Sequence, residues 1–368
     1  MNKLKVGVIG SSHPHAGLLY NTLAVLGDCV EFVGYSDVVT DETQADFRKR
    51  QLGSMANEAL QKGTLKQFDS WQDIISQKPD AVIVTADNKA CTDIMCHALD
   101  EKITVINEKP LASDLEDAKR IAKCSLKSGA PVITNWPITW FAAFQKAKEL
   151  ACQGAVGDIM RVVYRSPATW GPFEYTTPVE DKQKTWWFSH KRGGGSLLDY
   201  ACYGTILSTW IFGKCAKRVS AITKQFTTEG ISDVEDYSAM ILDFGNGVGL
   251  LEGSWSTFNC GEVATGPVIY GKEGTIVCDR YSNLVKVYHS ISHTPVEPTA
   301  VYDTGDNSAF GRKLGEHLKE YFEGKVPLNE MLTLDMNMDV MAALDAGMKS
   351  AENGSFAMVE DWRKNINE

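Results

Sequence analysis

The chain has 368 residues, enough for two domains or one large one, and can bury about three quarters of its unfolded surface without a disulfide or metal staple. Apolar residues make up 43% and charged residues 23%, which excludes a disordered chain, a collagen and a long coiled coil. The net charge of −10 is spread along the chain and argues against a nucleic-acid partner, which would need clustered Lys and Arg. The nine cysteines are scattered, with no Cys-x-x-Cys, so they read as reduced thiols and give no zinc site. The apolar run Val6 to Ile9 is too short for a signal peptide, and no stretch approaches the ~20 apolar residues of a membrane span. The expectation is a cytoplasmic protein with no membrane partner and no bound metal.

Short apolar runs alternate with helical segments through residue 135. Strands are expected at Leu4 to Ile9, Val30 to Tyr35, Asp80 to Thr85, Ile103 to Asn107 and Pro131 to Thr134. Helices are expected at His15 to Leu26, Asp41 to about Lys62, Cys91 to Asp100 and Leu115 to Ser128. Strand–helix alternation with continuous Val/Ile strands predicts a doubly wound parallel sheet of Rossmann type, covered on both faces. From residue 136 the pattern changes. A helix from Phe141 to Cys152 leads to a strand from Asp158 to Arg165, then an aromatic loop to Arg192 and a helix from Ser196 to Phe212. Strands dominate from Arg218 to Val287, with a hairpin at Asn246-Gly247, and helices close the chain at Phe310 to Phe322 and Asp335 to Ser350. The fold class is therefore α/β: a dinucleotide-binding domain over 1–135, and an α+β domain over 136–368 built on an open, mostly antiparallel sheet.

The first strand runs into Gly10-Ser11-Ser12-His13-Pro14-His15. A turn between a strand and a helix N-terminus is an anion site, because glycine allows close approach and the helix end presents free N–H groups. Only Gly10 matches the Gly-x-Gly-x-x-Gly fingerprint, so Ser11, Ser12 and His13 are the remaining candidates for phosphate contact. Pro14 suits the first helical position, with Ser12 or His13 as its cap, and in the competing view Ser12 merely caps the helix while His13 is solvated. Asp37 ends the second strand, where a carboxylate can accept from the adenosine ribose diol and repel a 2′-phosphate; this prefers NAD, with NADP as the alternative.

Glu108-Lys109-Pro110 follows a strand expected to be central, beyond whose carboxyl end ligands bind in open α/β sheets. Gly193-Gly194-Gly195-Ser196-Leu197-Leu198-Asp199-Tyr200-Ala201-Cys202-Tyr203 opens a helix on which Asp199 and Tyr203 share a face. Ser196-x-x-Asp199 also fits a capping box, and Tyr203 also fits a core position. Three of the nine tryptophans, Trp170, Trp186 and Trp187, lie within eighteen residues, alongside Phe173, Tyr175 and His190. Such aromatics pack on sugar C–H faces, or serve as loop core or dimer contact.

Glu108-Lys109-Pro110 with the Gly-Gly-Gly-x-Leu-x-Asp helix, Glu273-Gly274-Thr275-Ile276 and Ser350-Ala351-Glu352-Asn353-Gly354 resembles the glucose–fructose oxidoreductase / inositol dehydrogenase (Gfo/Idh/MocA) family over nearly the whole chain. The resemblance implies a Rossmann domain, a second domain whose open sheet forms a homodimer or larger homo-oligomer, and NAD(P)-dependent oxidation or reduction of sugars, polyols or related compounds. It also implies cofactor contacts from Thr85, Ala86, Asp87, Glu108 and Lys109. Tyr203 stands where the family often has His, as in members resembling dihydrodiol dehydrogenases, and Thr85-Ala86-Asp87 stands for Thr-Pro-Asn. The expected mechanism uses Tyr203 as acid/base, Lys109 to lower its pKa and bond the substrate oxygen, and Asp199 to orient Lys109 or a substrate hydroxyl. Arg165, Trp170, Trp187, His190 and Asp199 are the expected substrate contacts. Two other functions fit the same residues: a non-catalytic sugar or nucleotide sensor, and NAD-assisted glycoside cleavage.

Overall fold

The computed structural model describes all residues except 1–2, 40–44, 168–177, 258–265, 280, 306–309, 365 and 367–368. The first part runs β1 (Leu4–Ile9), α1 (Ala16–Ala24), β2 (Val30–Ser36), α2 (Ala45–Leu52), α3 (Ser54–Gln61), α4 (Trp71–Ser76), β3 (Ala81–Val84), α5 (Asn88–Asp100), β4 (Thr104–Glu108), α6 (Leu115–Ser128) and β5 (Val132–Asn135). Its five strands are all parallel in the order β2-β1-β3-β4-β5. Central β3 is wholly buried, as its unbroken Ala-Val-Ile-Val run requires. The two faces feed separate cores. Val6, Val8 and Ile83 pack with Leu19 and Leu23 of α1, while Val82, Val84 and Val105 pack with Ile94 of α5 and Ile121 of α6.

Two local expectations change. The long polar helix after Asp41 is two helices, split at Gly53, whose φ of +87° is left-handed. The six-residue α4 was not foreseen; the Ser70 side chain caps it by accepting the Asp73 N–H at 3.2 Å, too short a segment for helical periodicity to register.

The second part runs α7 (Ala142–Cys152), β6 (Ile159–Pro167), α8 (Val179–Gln183), a π turn (Leu197–Ala201) continuous with α9 (Cys202–Phe212), β7 (Arg218–Lys224), β8 (Tyr237–Asp243), β9 (Val248–Ser254), β10 (Val268–Gly271), β11 (Thr275–Asp279), β12 (Leu284–Tyr288), β13 (Ala300–Asp303), α10 (Phe310–Phe322), α11 (Leu334–Asn353) and β14 (Ala357–Met358). Nine strands form one open sheet in the order β13-β12-β11-β10-β6-β9-β8-β7-β14. Only β6–β9 is parallel; every other pair is antiparallel. The β8–β9 hairpin forms as expected, but its left-handed residue is Gly245, with φ of +87°, in place of Asn246-Gly247.

One face of this sheet is covered by α9 and α11, where Met240, Leu242 and Leu251 meet Ile206, Leu207 and Leu344. The other face lies open and carries Ile222 and Ile241, both at least half exposed. Leu314 and Leu318 of α10 return to the α1 side of the parallel sheet, tying the carboxyl-terminal segment to the first domain. Among the described residues, the cysteines are free and no helix is long and apolar enough to cross a membrane.

Candidate active site

The site forms where the carboxyl ends of β1, β2 and β4 meet the start of α9. Gly10 is fixed twice over: its φ is +79°, and a Cβ there would lie 2.8 Å from the Ala86 nitrogen. The turn is tied to β3 by the Thr85 hydroxyl, which donates to the Gly10 carbonyl at 2.8 Å, and by the His13 N–H, which donates to the Thr85 carbonyl at 3.0 Å.

Ser12 is not the helix cap. His15 occupies that position, and the buried Ser12 hydroxyl has no partner among the described residues. Pro14 precedes the helix rather than starting it. His13 is buried, not solvated: desolvation, helped by the His15 and Lys109 charges, pushes its pKa well below the usual histidine value, so the ring is neutral. It accepts the His15 N–H at 3.1 Å and stacks on Trp186, whose indole N–H reaches the Ser12 carbonyl at 3.2 Å. Orphaned polar groups cost free energy unless a ligand satisfies them. The bare Ser12 hydroxyl and the close-approach cradle at Gly10 therefore suit a phosphate.

Asp37 lies at the end of β2 in a dense network. Its Oδ1 accepts from the Ser11 hydroxyl at 3.2 Å and the Val38 N–H at 3.0 Å, and its Oδ2 accepts from Arg48 Nε at 2.8 Å. Buried Tyr35 shares the Ser11 hydroxyl at 3.0 Å, and burial, with the Asp37 charge, drives its pKa far above the usual phenol value.

Glu108, His15 and His13 bring ligand-type atoms within 4.8 Å of one another. Those atoms are already engaged: His15 Nδ1 bonds Glu108 Oε2 at 3.0 Å, and the Asn135 amide donates to Glu108 Oε1 at 2.5 Å. The trio is a hydrogen-bonded clamp under the glycine turn. The Asn135 side-chain Oδ1 beside it is buried and unpartnered among the described residues.

Lys109 and Asp199 meet across 90 positions of sequence. The ammonium donates to Asp199 Oδ1 at 2.7 Å and to the Asp199 carbonyl at 2.6 Å. The capping-box reading of Asp199 is thus corrected: Ser196 makes no side-chain cap, and Asp199 is the counter-ion of a buried lysine. The π turn widens the start of the helix just where Asp199 sits, as such turns do at functional sites. Trp255 holds the other carboxylate oxygen, donating Nε1–H to Oδ2 at 3.0 Å. Burial alone would lower the Lys109 pKa, but the Asp199 carboxylate outweighs it, and the group stays well above the usual lysine value and charged.

Tyr203 lies beside this pair, with the ammonium 4.6 Å from its ring centroid. Lys109 does pull its pKa down, as expected, but burial pushes it up further, and the net direction is well above a free phenol. Tyr203 is therefore a neutral O–H, a correction to the expected lysine-lowered phenolate.

The remaining expected residues separate. Trp187 is buried, stacked on Trp186 at 4.4 Å and edge-on to Phe47 of α2 at 6.1 Å. With Phe188, Val234 and Trp255 they form a small core between the glycine turn and the start of α9, so the loop-core reading describes them. Asp87 caps α5 and pairs with Arg192 at 3.0 Å, which docks the Gly193–Gly195 loop onto the first domain. Ala86 packs closely on Gly10. His190 is exposed and pairs with buried Glu235 at 3.3 Å. Gly195 has no alternative here: its φ is +106°, and a Cβ would lie 2.6 Å from the Glu235 carboxylate. Arg165 is not brought to the site; it lies on the open face of the large sheet, paired with Glu252 of the neighbouring strand. Trp170, Phe173 and Tyr175 lie outside the described residues.

Sequence reasoning missed Trp255, Arg48 and His15. Only tertiary contact reveals the first two, whereas His15 occupied the third fingerprint position and was legible there.

Known proteins resemble both halves of the chain. Residues 4–136 match the description "Oxidoreductase family, NAD-binding Rossmann fold", and residues 144–277 match "GFO/IDH/MocA C-terminal domain". Inositol 2-dehydrogenase of Salmonella typhimurium is 29% identical over 175 residues, covering 47% of each chain; the match thus spans about half the length of that relative. Trans-1,2-dihydrobenzene-1,2-diol dehydrogenase of Xenopus laevis is 24% identical over 196 residues, covering 53% of this chain and 55% of that one. The WlbA dehydrogenase of Bordetella pertussis, solved with NADH and UDP-GlcNAcA, shares the fold with a TM-score of 0.77 over 98% of both chains at 20% identity. Both halves point to one group, and the chain belongs to the GFO/IDH/MocA family of oxidoreductases.

Proposed function

We propose that the chain is a nicotinamide-dependent dehydrogenase or reductase acting on a CH–OH or carbonyl carbon of a sugar, polyol or related small molecule. The observation that carries this is the convergence of Lys109, Asp199 and Tyr203 beside the Gly10 turn, a charged ammonium and a neutral phenol at the carboxyl edge of a parallel sheet. Residues 1–135 hold the dinucleotide, through Gly10, Ser11, Ser12 and the Glu108 clamp at one end and Asp37 at the other. Residues 136–368 supply the substrate side and the face for a second copy. The free cysteines fit a cytoplasmic protein.

The bound nicotinamide supplies or accepts the hydride; this chain's residues manage the proton and the oxygen. Lys109 presents its charge to the substrate oxygen and stabilises developing alkoxide. Tyr203 gives its O–H proton to that oxygen during reduction. During oxidation it must first lose the proton, which its raised pKa defers to alkaline solution. Asp199, held by Trp255, keeps Lys109 charged and aimed. Asp37 prefers the ribose diol of NAD.

The test is absorbance at 340 nm with NAD or NADP against a panel of inositols, aldoses and vicinal diols, run alongside a Tyr203→Phe control. Turnover on a CH–OH compound that falls steeply in the variant is the expected result. Tight dinucleotide binding with no turnover on any compound would replace the enzyme with a sensor.

A further inference from the structure

Asp37 is not a lone charge. Arg48 pairs with it at 2.8 Å, and both lie at the end of the groove where the adenosine ribose of a dinucleotide falls in this fold. The guanidinium is a fixed part of the structure. Its residue is 7% exposed, it projects from α2, and the preceding Phe47 is anchored edge-on against Trp187. The hydrogen bonds from Ser11 and Val38 fall on Asp37 Oδ1, and the Arg48 bond falls on Oδ2.

This changes the electrostatics that an isolated acid would impose. A bare carboxylate at this position attracts the 2′-hydroxyl of NAD and repels the 2′-phosphate of NADP. A carboxylate–guanidinium pair has no net charge. Its cationic half is planar, permanently protonated and suited to phosphate oxygens. We propose that Arg48 is a specificity-determining residue that converts the NAD-selecting acid at position 37 into a subsite accepting either a 2′-hydroxyl or a 2′-phosphate. The proposal deepens the cofactor reading above and rests on it. It is independent of the substrate and of the roles of Lys109 and Tyr203.

The experiment is isothermal titration of the wild-type protein and of Arg48→Ala, Arg48→Lys and Asp37→Asn with NAD, NADP, 5′-AMP and adenosine 2′,5′-bisphosphate. The last two probes isolate the 2′ position from the rest of the cofactor. The wild type should bind NADP within about tenfold of NAD, and Arg48→Ala should weaken NADP relative to NAD by about ten- to a hundredfold, the worth of one or two charge-assisted bonds. Arg48→Lys keeps the charge and should hold most of the ratio. Asp37→Asn should shift the ratio towards NADP. It carries the test by itself if Arg48→Ala loses both nucleotides through its fold. An NADP-to-NAD ratio unchanged in Arg48→Ala with NAD binding intact, or unchanged in Asp37→Asn, overturns the proposal, as does a wild type that rejects NADP more than a hundredfold. A wild type that binds neither dinucleotide overturns the cofactor reading itself, a different and separately visible failure.

Discussion

Replacing Asp199 by Ala strands a charge. The Lys109 side chain is 3% exposed, and its ammonium has the Asp199 carboxylate at 2.7 Å and the Asp199 carbonyl at 2.6 Å. Truncation leaves the carbonyl and the Tyr203 ring face, neither of which balances a full charge, and also removes the acceptor for Trp255. Breaking a buried ion pair by removing one partner costs about 3–5 kcal/mol, because the survivor is desolvated without compensation. The Lys109→Met change should cost less, about 2–3 kcal/mol, since Asp199 is nearer solvent and keeps its Trp255 bond. The double variant Lys109→Met/Asp199→Ala contains neither charge and should be no worse than the milder single change. The cycle therefore predicts a favourable coupling of at least about 3 kcal/mol.

Urea unfolding followed by tryptophan emission measures it, comparing midpoints at constant slope. The pH dependence of catalysis gives a second, independent reading. Asp199→Asn removes the main influence holding the Lys109 pKa up and leaves burial pulling it down. The alkaline fall of the reductive rate should then move to lower pH. The reasoning is refuted if Asp199→Ala costs under about 1 kcal/mol, or if the double variant shows the sum of the single losses.

Tyr203→Phe should lower kcat by about 10²- to 10⁴-fold while dinucleotide affinity stays unchanged; equal turnover in the variant would remove the proton role. The oxidative kcat/KM should still be rising at pH 10, because burial holds the phenol protonated past the ordinary tyrosine value; a plateau below pH 9 would contradict it. Gly10→Ala puts a methyl group 2.8 Å from the Ala86 nitrogen at a left-handed φ, and should cost about 1–3 kcal/mol in stability and weaken dinucleotide binding, both read by thermal shift. Ile241→Glu, on the open face of the nine-stranded sheet, should leave a monomer in light scattering where the parent is a dimer, and a parent already monomeric would end that expectation.

The fold was legible because its determinants are local. Ala81–Val84 is buried on both faces and is written as an unbroken apolar run, while Tyr237–Asp243 places Met240 and Leu242 inward and Ile241 outward. Helices of two turns or less left no comparable trace: α4 needed only Ser70 and a few contacts, too brief for periodicity. The Asn246-Gly247 expectation failed in register. The turn closes one residue earlier than expected: the Phe244 N–H donates to the Gly247 carbonyl at 2.9 Å, so the central pair is Gly245-Asn246 and the left-handed position falls on Gly245.

The site was legible as residue types and much less so as states. Lys109 and Asp199 were both visible as candidates, but nothing in the chain order states that they touch, because the contact depends on the Arg192–Asp87 pair and the Asn88–Gly193 bond docking one domain on the other. Charge state is hidden deeper still. A lysine near a tyrosine suggests a lowered phenol pKa, yet the outcome is a contest between Coulomb attraction and desolvation, and burial is a property of the whole packing. The tryptophans show the same limit from the other side. Their clustering suggested a sugar platform, but Trp186 and Trp187 are consumed in seating the glycine turn, and their partner Trp255, some seventy residues on, is the one that reaches the Lys109–Asp199 pair. Their contribution to chemistry is thus mechanical. They join the Gly10–His13 turn and Asp199 through one aromatic block, which under the proposed function would present dinucleotide and substrate oxygen to Lys109 in a fixed relation.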